Sequence, residues 1–315
     1  SNTGPVPKAE KMIPPISRPA RSFLVPVFLL ALAFAAPVLC QGDDSVIKVD
    51  SATVVLNATI LDAGGGVVSG LRREQFSVFE NGRKQEVTYF SAAETPFAAV
   101  MLIDTSGSME SRLSMARSAA ITFLDGLRVD DNVAVYRFAS KVEIVQEFSG
   151  SRDISESIFD VKADGMTALN DAIFKAAEEL KARPEKRRAV IVISDGADNI
   201  SGRSAGRALK AALEAQALIY TVDMSSADTS GKDRMQNQGV LKDFAEKSGG
   251  RFIAAEGGPA LRLGLKGIVD ELGIQYTLGY EPSDQEKDGK WRAIELRVAK
   301  PKLTIRTRKG YTAGK

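Results

Sequence analysis

The chain has 315 residues, a formal net charge of +2 and an ordinary apolar share of 44%. This length allows one large domain together with a smaller one. The near-neutral charge gives no sign of a nucleic acid or an anionic membrane surface as partner. The sequence contains no histidine and a single cysteine, Cys40. These counts exclude Ser-His-Asp and Cys-His catalysis, the usual zinc sites, an intrachain disulfide and any CxxC motif.

The first forty residues have the pattern of a targeting segment. Arg18 and Arg21 precede an apolar run over 23–36. The run is short for a membrane span, which needs about 20 residues, and its basic flank is typical of a secretory signal. We interpret 1–40 as a cleaved signal peptide, with an uncleaved membrane anchor or a lipoprotein signal ending at Cys40 as alternatives. The sequence therefore predicts an extracytoplasmic protein that is secreted, periplasmic or anchored facing outward.

Two segments, 45–92 and 276–315, are predicted to form β structure. In the first, apolar and polar residues alternate around Asn81-Gly82, which is a strong hairpin signal. The run Gly64-Gly65-Gly66 has neither the spacing nor the following helix of a dinucleotide-binding motif and indicates a turn. Each segment alone is too small to bury a good core, so we expect the two to pair into one small flanking β module.

Strand and helix patterns alternate over 96–275. Two strands are apolar until they end in acids, Asp104 and Asp195, as expected in the middle of a parallel sheet. The first helix is predicted over about 110–128 from its apolar stripe. The polar stretch 225–239 is predicted to be a flexible loop. The alternation predicts a doubly wound, Rossmann-like α/β domain with a mostly parallel sheet.

Oxygen-bearing side chains gather where these strands end. Asp104 and Asp195 each terminate an apolar strand. The other three are Ser106, Ser108 and Thr167, and Thr167 directly precedes a predicted helix. Because open α/β sheets bind ligands at the carboxyl ends of their strands, we expect all five side chains to meet there. Two carboxylates and three hydroxyls form an oxygen-only site, which suits Mg²⁺, Mn²⁺ or Ca²⁺ and disfavours Zn²⁺ or Cu²⁺.

Three motifs carry a resemblance to a known family. The stretches "DTSGSM", "GMTALNDAI" and "VISDGADN" resemble, in the same order, the three parts of the metal-ion-dependent adhesion site of von Willebrand factor type A domains. All five positions of the predicted metal site match, and the resemblance covers 96–275. The segments on either side resemble, by a looser pattern, the VWFA-related domain proteins of acidobacteria.

The resemblance implies a binding module and no enzyme. In such domains the two serines and the threonine contact the metal, directly or after a ligand-induced rearrangement, and the two aspartates act largely through water. An Asp or Glu carboxylate of a partner protein fills the sixth coordination position. A site with few direct charged ligands leaves the cation electrophilic, which favours a partner carboxylate. A membrane contact is expected only through an uncleaved N-terminal segment.

Other functions fit parts of the same pattern. A structural or assembly protein could hold a stabilising cation without an open coordination position. A metal-dependent hydrolase needs a general base, for which the motifs offer only Asp104 and Asp195. A subunit of a chelatase or AAA-type complex is disfavoured by the signal-like N-terminus, since those partners are cytosolic.

Several single residues have structural interpretations of their own. Asp104, Thr167 and Asp195 are each suitable helix caps. Asp198 and Asn199 are expected in a solvated loop, with contact to the cation site as the alternative. Three aromatic side chains, Tyr276, Tyr280 and Trp291, are expected to pack the terminal β module, with carbohydrate binding as the alternative.

Overall fold

The computed structural model describes residues 53–92, 94–151, 165–226, 230–254 and 257–314. The segment interpreted as a signal peptide or anchor, 1–40, lies outside these ranges. The described residues belong to one compact unit. In them, no helix is both long and apolar enough to cross a membrane.

The described chain contains fourteen strands and five α-helices. The strands are β1 (Val54–Leu61), β2 (Phe76–Glu80), β3 (Arg83–Gln85), β4 (Val87–Ser91), β5 (Phe97–Asp104), β6 (Asn132–Phe138), β7 (Val142–Ser149), β8 (Arg187–Ser194), β9 (Ala217–Asp223), β10 (Phe252–Ala254), β11 (Tyr276–Tyr280), β12 (Trp291–Val298), β13 (Thr304–Arg306) and β14 (Gly310–Thr312). The helices are α1 (Leu113–Asp125), α2 (Leu169–Lys181), α3 (Ala205–Glu214), α4 (Gly231–Ser248) and α5 (Gly258–Gly273).

A six-stranded sheet with the order β10-β9-β8-β5-β6-β7 forms the centre of the molecule. Its neighbouring strands run parallel, except that the edge strand β7 is antiparallel to β6. Every residue of β5 is buried. Alternate side chains point to opposite faces, so Met101 packs in the core with α1 and α5, and Val100 in the core with α2, α3 and α4. The predicted doubly wound α/β fold is confirmed.

Strands from both ends of the chain build the predicted flanking β module. One sheet has the order β13-β1-β11-β4 and the other β14-β12-β2-β3. Side chains of both sheets share an apolar core. The Tyr280 hydroxyl of β11 donates to Glu80 Oε2 of β2 at 2.6 Å and joins the two sheets. The hairpin is also confirmed, since Asn81 and Gly82 link β2 to β3 with φ of 48° and 79°.

The β module contacts the amino-terminal edge of the central sheet. Arg187, the first residue of β8, is fully buried and its Nη1 donates to the carbonyl of Gly273 at 3.0 Å. A second guanidinium nitrogen donates to the carbonyl of Gln275, directly before β11. Asn57 of β1 donates to the carbonyl of Lys186 at 3.0 Å. These bonds anchor the β module at the opposite end of β8 from Asp195.

The interpretation of 225–239 as a flexible loop is wrong for the part from 230 onwards. Helix α4 begins at Gly231, and its N-cap Ser230 accepts a hydrogen bond from the Asp233 N–H. The buried residues of α4 lie at Leu241 and beyond. The first turns are polar because they face solvent, which hides the helical pattern in the sequence.

The first helix is shorter than predicted. Residues Gly107–Arg112 form a 3₁₀ helix, and α1 follows from Leu113 to Asp125. The predicted apolar stripe is buried at Ala116, Ala120, Phe123, Leu124 and Leu127. The domain limits at 96 and 275 stay predictions.

Candidate functional site

A tight turn after β5 brings three of the predicted residues together. Asp104 is fully buried, and its Oδ1 accepts the Ser106 N–H at 2.9 Å. The hydroxyls of Ser106 and Ser108 lie 3.2 Å apart. Ser106 is buried and Ser108 is exposed, so this row of oxygens leads from the sheet to solvent.

Thr167 lies in a loop held between two others. On one side, the Gly107 N–H donates to the carbonyl of Gly165 at 3.4 Å. On the other, the Thr167 N–H donates to Asn199 Oδ1 at 2.8 Å, and the Asn199 N–H donates back to the carbonyl of Thr167 at 3.0 Å. Gly165 has a φ of +78°, and a Cβ there would lie 2.3 Å from Ser140 Oγ. Glycine is therefore required where this loop turns toward Thr167.

Asp195 follows β8 and faces the same region. Its Oδ1 accepts the Ala197 N–H at 3.0 Å. The preceding residue, Ser194, donates its hydroxyl to Asp104 Oδ2 at 2.6 Å. Burial is the main cause of the raised pKa of Asp104, and the nearby charge of Asp195 adds a smaller contribution in the same direction. The ends of β5 and β8 thus place both carboxylates at one edge of the sheet.

Burial raises the pKa of Asp104 from its ordinary value of 3.8 to about 6. Hydrogen bonds from Ser106 and Ser194 oppose this shift and favour the charged form. In the described part of the chain, no salt bridge involves Asp104 or Asp195. Two neighbouring acids without a basic partner favour a bound cation.

The donor chemistry fits a hard divalent cation. The five side chains supply only carboxylate and hydroxyl oxygens, the ligand types that Mg²⁺, Mn²⁺ and Ca²⁺ prefer. Within the described ranges, no group of three or more His, Cys, Asp and Glu side chains could hold a metal ion. The arrangement is therefore distinct from a carboxylate cage.

The loop after β8 makes hydrogen bonds to Thr167 and to the first turn of α2 that the sequence did not predict. Asn199 is exposed, as expected for a solvated loop, and it also brackets Thr167, while Oδ2 of the half-buried Asp198 accepts the Asn170 N–H at 2.9 Å. Ser201 Oγ accepts the Asp171 N–H at 3.1 Å. The interpretation of Thr167 as N-cap of α2 is wrong, because Ala168 occupies that position without a side-chain bond. Residues of the neighbouring loop satisfy the first turn of α2 instead.

A further buried acid at this edge, Asp223, was not identified in the sequence. It ends β9, and its Oδ1 accepts both the N–H of Ser225 at 2.9 Å and the hydroxyl at 2.5 Å. Its Oδ2 accepts the Gln238 amide of α4 at 2.7 Å. The short pattern Asp-x-Ser at the end of an apolar strand, which also occurs at Asp104, was the signal available for it.

Residues 99–197 match the family model of the von Willebrand factor type A domain. The chain contains a von Willebrand factor type A domain. The matched range runs from β5 to the loop after β8 and includes all five predicted site residues. Type A domains are generally non-enzymatic interaction modules.

One relative is an uncharacterised protein of Synechocystis sp., 29% identical over 166 residues, which are 51% of this chain and 38% of that protein. The chain thus matches well under half of the relative's length. Among solved structures, a von Willebrand factor type A protein from Catenulispora acidiphila shares 13% identity with a TM-score of 0.49, covering 84% of this chain and 76% of that one. The corresponding domain of the type V pili tip protein Mfa5 from Porphyromonas gingivalis shares 13% identity with a TM-score of 0.48, covering 58% and 98%. The resemblance of the flanking segments to acidobacterial proteins is untested by these comparisons and stays a prediction.

Gly196, next to Asp195 in the type A domain, is predicted to be intolerant of a side chain. Its φ is +82°, and a Cβ would lie 2.7 Å from the carbonyl oxygen of Asn237 in α4. We expect Gly196→Ala to lower the free energy of unfolding by about 1–3 kcal/mol. Gly239→Ala in the same helix, where a Cβ meets nothing within 4 Å, is the control and should stabilise by about 0.5–1 kcal/mol. Urea unfolding measures both, and a neutral Gly196→Ala would contradict the close approach.

The raised pKa of Asp104 predicts a pH-dependent stability in metal-free buffer. The folded state keeps a proton between pH 3.8 and about 6 that the unfolded chain loses. The stabilisation linked to this proton is complete below the lower value and is lost as the pH rises through the upper one, by up to about 3 kcal/mol. Urea unfolding across this range, compared with Asp104→Asn, measures the loss. Equal pH slopes for the two proteins would contradict the shift.

Proposed function

We propose that the protein is a non-enzymatic binding module that captures an Asp or Glu carboxylate of a partner protein through a divalent cation. Mg²⁺ is the first candidate, with Mn²⁺ and Ca²⁺ as alternatives. The proposed cation-binding residues are Asp104, Ser106, Ser108, Thr167 and Asp195. The observation that carries the proposal is the pair of neighbouring carboxylates, without a basic partner in the described chain, beside a row of hydroxyls that reaches solvent at Ser108.

The electrostatics support a cation that keeps affinity for a further acid. Buried charges are unfavourable unless they are compensated, and a divalent cation compensates both Asp104 and Asp195. Hydroxyl ligands carry no charge, so the ion is not saturated by them. A carboxylate arriving from solvent on the Ser108 side completes the coordination, because an anionic oxygen is a stronger ligand for the cation than a neutral hydroxyl or a water.

A hydrolytic role has less support from the same contacts. A general base must be free to take a proton from a metal-bound water. Asp104 is engaged at both oxygens, by the Ser106 N–H and the Ser194 hydroxyl. Asp195 is engaged at one, by the Ala197 N–H. A purely stabilising cation remains the second candidate, since the site links three loops that a bound ion would hold together.

Cation binding is tested by calorimetric titration of the protein with Mg²⁺, Mn²⁺ and Ca²⁺. We expect one ion per chain, with affinity lost in Asp104→Ala and unchanged in Asp125→Ala, an exposed acid at the end of α1. Below about pH 6 the affinity should fall about tenfold per pH unit, because Asp104 must lose its proton to bind metal.

Two results would separate the alternatives in that experiment. No ion binding, even with excess acetate present to supply a carboxylate, would contradict the proposed function. If Asp104→Ala no longer folds, measured by circular dichroism, the stabilising role is favoured over partner capture.

We also propose that the protein acts outside the cytoplasm, supported by the basic residues and the apolar run within 1–40. Fractionation of bacteria that produce the full chain should recover it in an extracytoplasmic fraction. Replacing Leu29 and Leu30 by Asp should retain it in the cytosol, because charges within the apolar run prevent its recognition and insertion. Recovery of the unaltered chain in the cytosol with its N-terminal segment intact would contradict the proposal.

A further inference from the structure

Two residues with exposed apolar side chains adjoin Thr167 of the candidate cation site through the backbone. Met166, 52% exposed, directly precedes Thr167 in the chain. Ile200, 40% exposed, donates its backbone N–H to the carbonyl of Thr167 at 3.3 Å. We call Met166 and Ile200 the apolar rim. It places hydrophobic surface on two loops that both meet at one predicted metal ligand.

The loops that carry the apolar rim are held by hydrogen bonds. The Met166 N–H donates to Ser140 Oγ at 3.1 Å, and this hydroxyl lies 3.5 Å from the carbonyl of Met166. On the other loop, Asp198 Oδ1 accepts the Ser201 N–H at 3.1 Å. Because the backbone is already ordered, a partner that contacts the rim does not have to order it on binding.

The location of the rim is what distinguishes it from scattered surface hydrophobics. Single exposed apolar residues are normal on a folded protein. In the described chain, eight large apolar side chains are exposed, and two of them adjoin the same buried threonine. Val129, 86% exposed, precedes β6 and therefore lies at the opposite edge of the sheet.

We propose that the partner presents its acidic residue between apolar neighbours, which pack on Met166 and Ile200 while the carboxylate binds the cation. This proposal rests on the proposed function and narrows the class of partner. A carboxylate alone offers little selectivity, because every protein surface carries acids. Apolar contacts beside it exclude water from the ion and select the sequence around the acid. Met adapts its shape to different neighbours, whereas the β-branched Ile is stiff.

The test compares two blocked pentapeptides in the presence of saturating Mg²⁺. One is Ser-Leu-Asp-Leu-Ser and the other Ser-Ser-Asp-Ser-Ser, each titrated into the full protein and followed by NMR chemical shifts. We expect the leucine peptide to bind about tenfold more tightly than the serine peptide. Substituting Asn for the peptide's Asp should abolish binding of both, since the amide lacks the charge that the cation attracts.

Variants of the protein assign this preference to the rim. The double variant Met166→Ser, Ile200→Ser should bind both peptides with the affinity of the serine peptide. The affinity of the double variant for Mg²⁺ should be unchanged. The control Val129→Ser should keep both the Mg²⁺ affinity and the full preference for the leucine peptide. Unfolding midpoints of both variants verify that they remain folded.

Each contrary result identifies which proposal fails. Equal affinities for the two peptides, or a leucine preference that survives the double variant, would overturn the apolar rim while Mg²⁺-dependent binding stands. Mg²⁺ binding without binding of either peptide would also overturn it, and would favour the stabilising cation. Absence of Mg²⁺ binding would overturn the proposed function and this inference with it.

Discussion

A buried carboxylate at the end of the central strand is the constraint on which the site depends. Asp104 is removed from water entirely, and burying a charged group is costly unless donors or an opposite charge compensate it. One donor comes from the turn after β5 and the other from Ser194 at the end of β8. The compensation therefore ties two neighbouring strands together and fixes where Ser106 and Asp195 lie.

The parts of the site that depend on neighbouring residues could be predicted from the sequence, whereas the contacts between residues distant in sequence could not. The apolar run of β5, its closing acid and the serines at alternate positions are all visible within a few residues, so the turn at Asp104–Ser108 could be predicted. The hydrogen-bond partners of the site residues could not be predicted in this way. Ser194 lies 90 residues from Asp104, and Asn199 lies 32 residues from Thr167. Which loops meet depends on strand order, and the alternation of strands and helices predicts a sheet without giving that order.

The same limit applies to Asp223, which shares the Asp-x-Ser pattern of Asp104. Its carboxylate accepts hydrogen bonds at both oxygens, two from Ser225 and one from the Gln238 amide of α4. The side-chain carboxylate of Asp195 accepts one hydrogen bond in the described structure, from the Ala197 N–H. Whether an acid at a strand end is structural or is open to a ligand depends on the surrounding donors. For Asp223, one of these donors is Gln238. This residue lies in the polar first turns of α4, which the sequence pattern did not show to be helical.

The attachment of the β module explains why this edge of the sheet is available to a partner. Arg187 at the beginning of β8 hydrogen-bonds to the link between α5 and β11, and Asn57 of β1 bonds to the residue before Arg187. Both contacts lie at the amino-terminal end of β8, whereas Ser194 and Asp195 lie at its carboxyl-terminal end. Because parallel strands present all their carboxyl ends at one edge, the module covers the opposite edge. The side chains of Ser108, Met166 and Ile200 therefore stay exposed to solvent. The buried strand β8 separates the edge of the sheet that packs against the β module from the edge proposed to bind a partner.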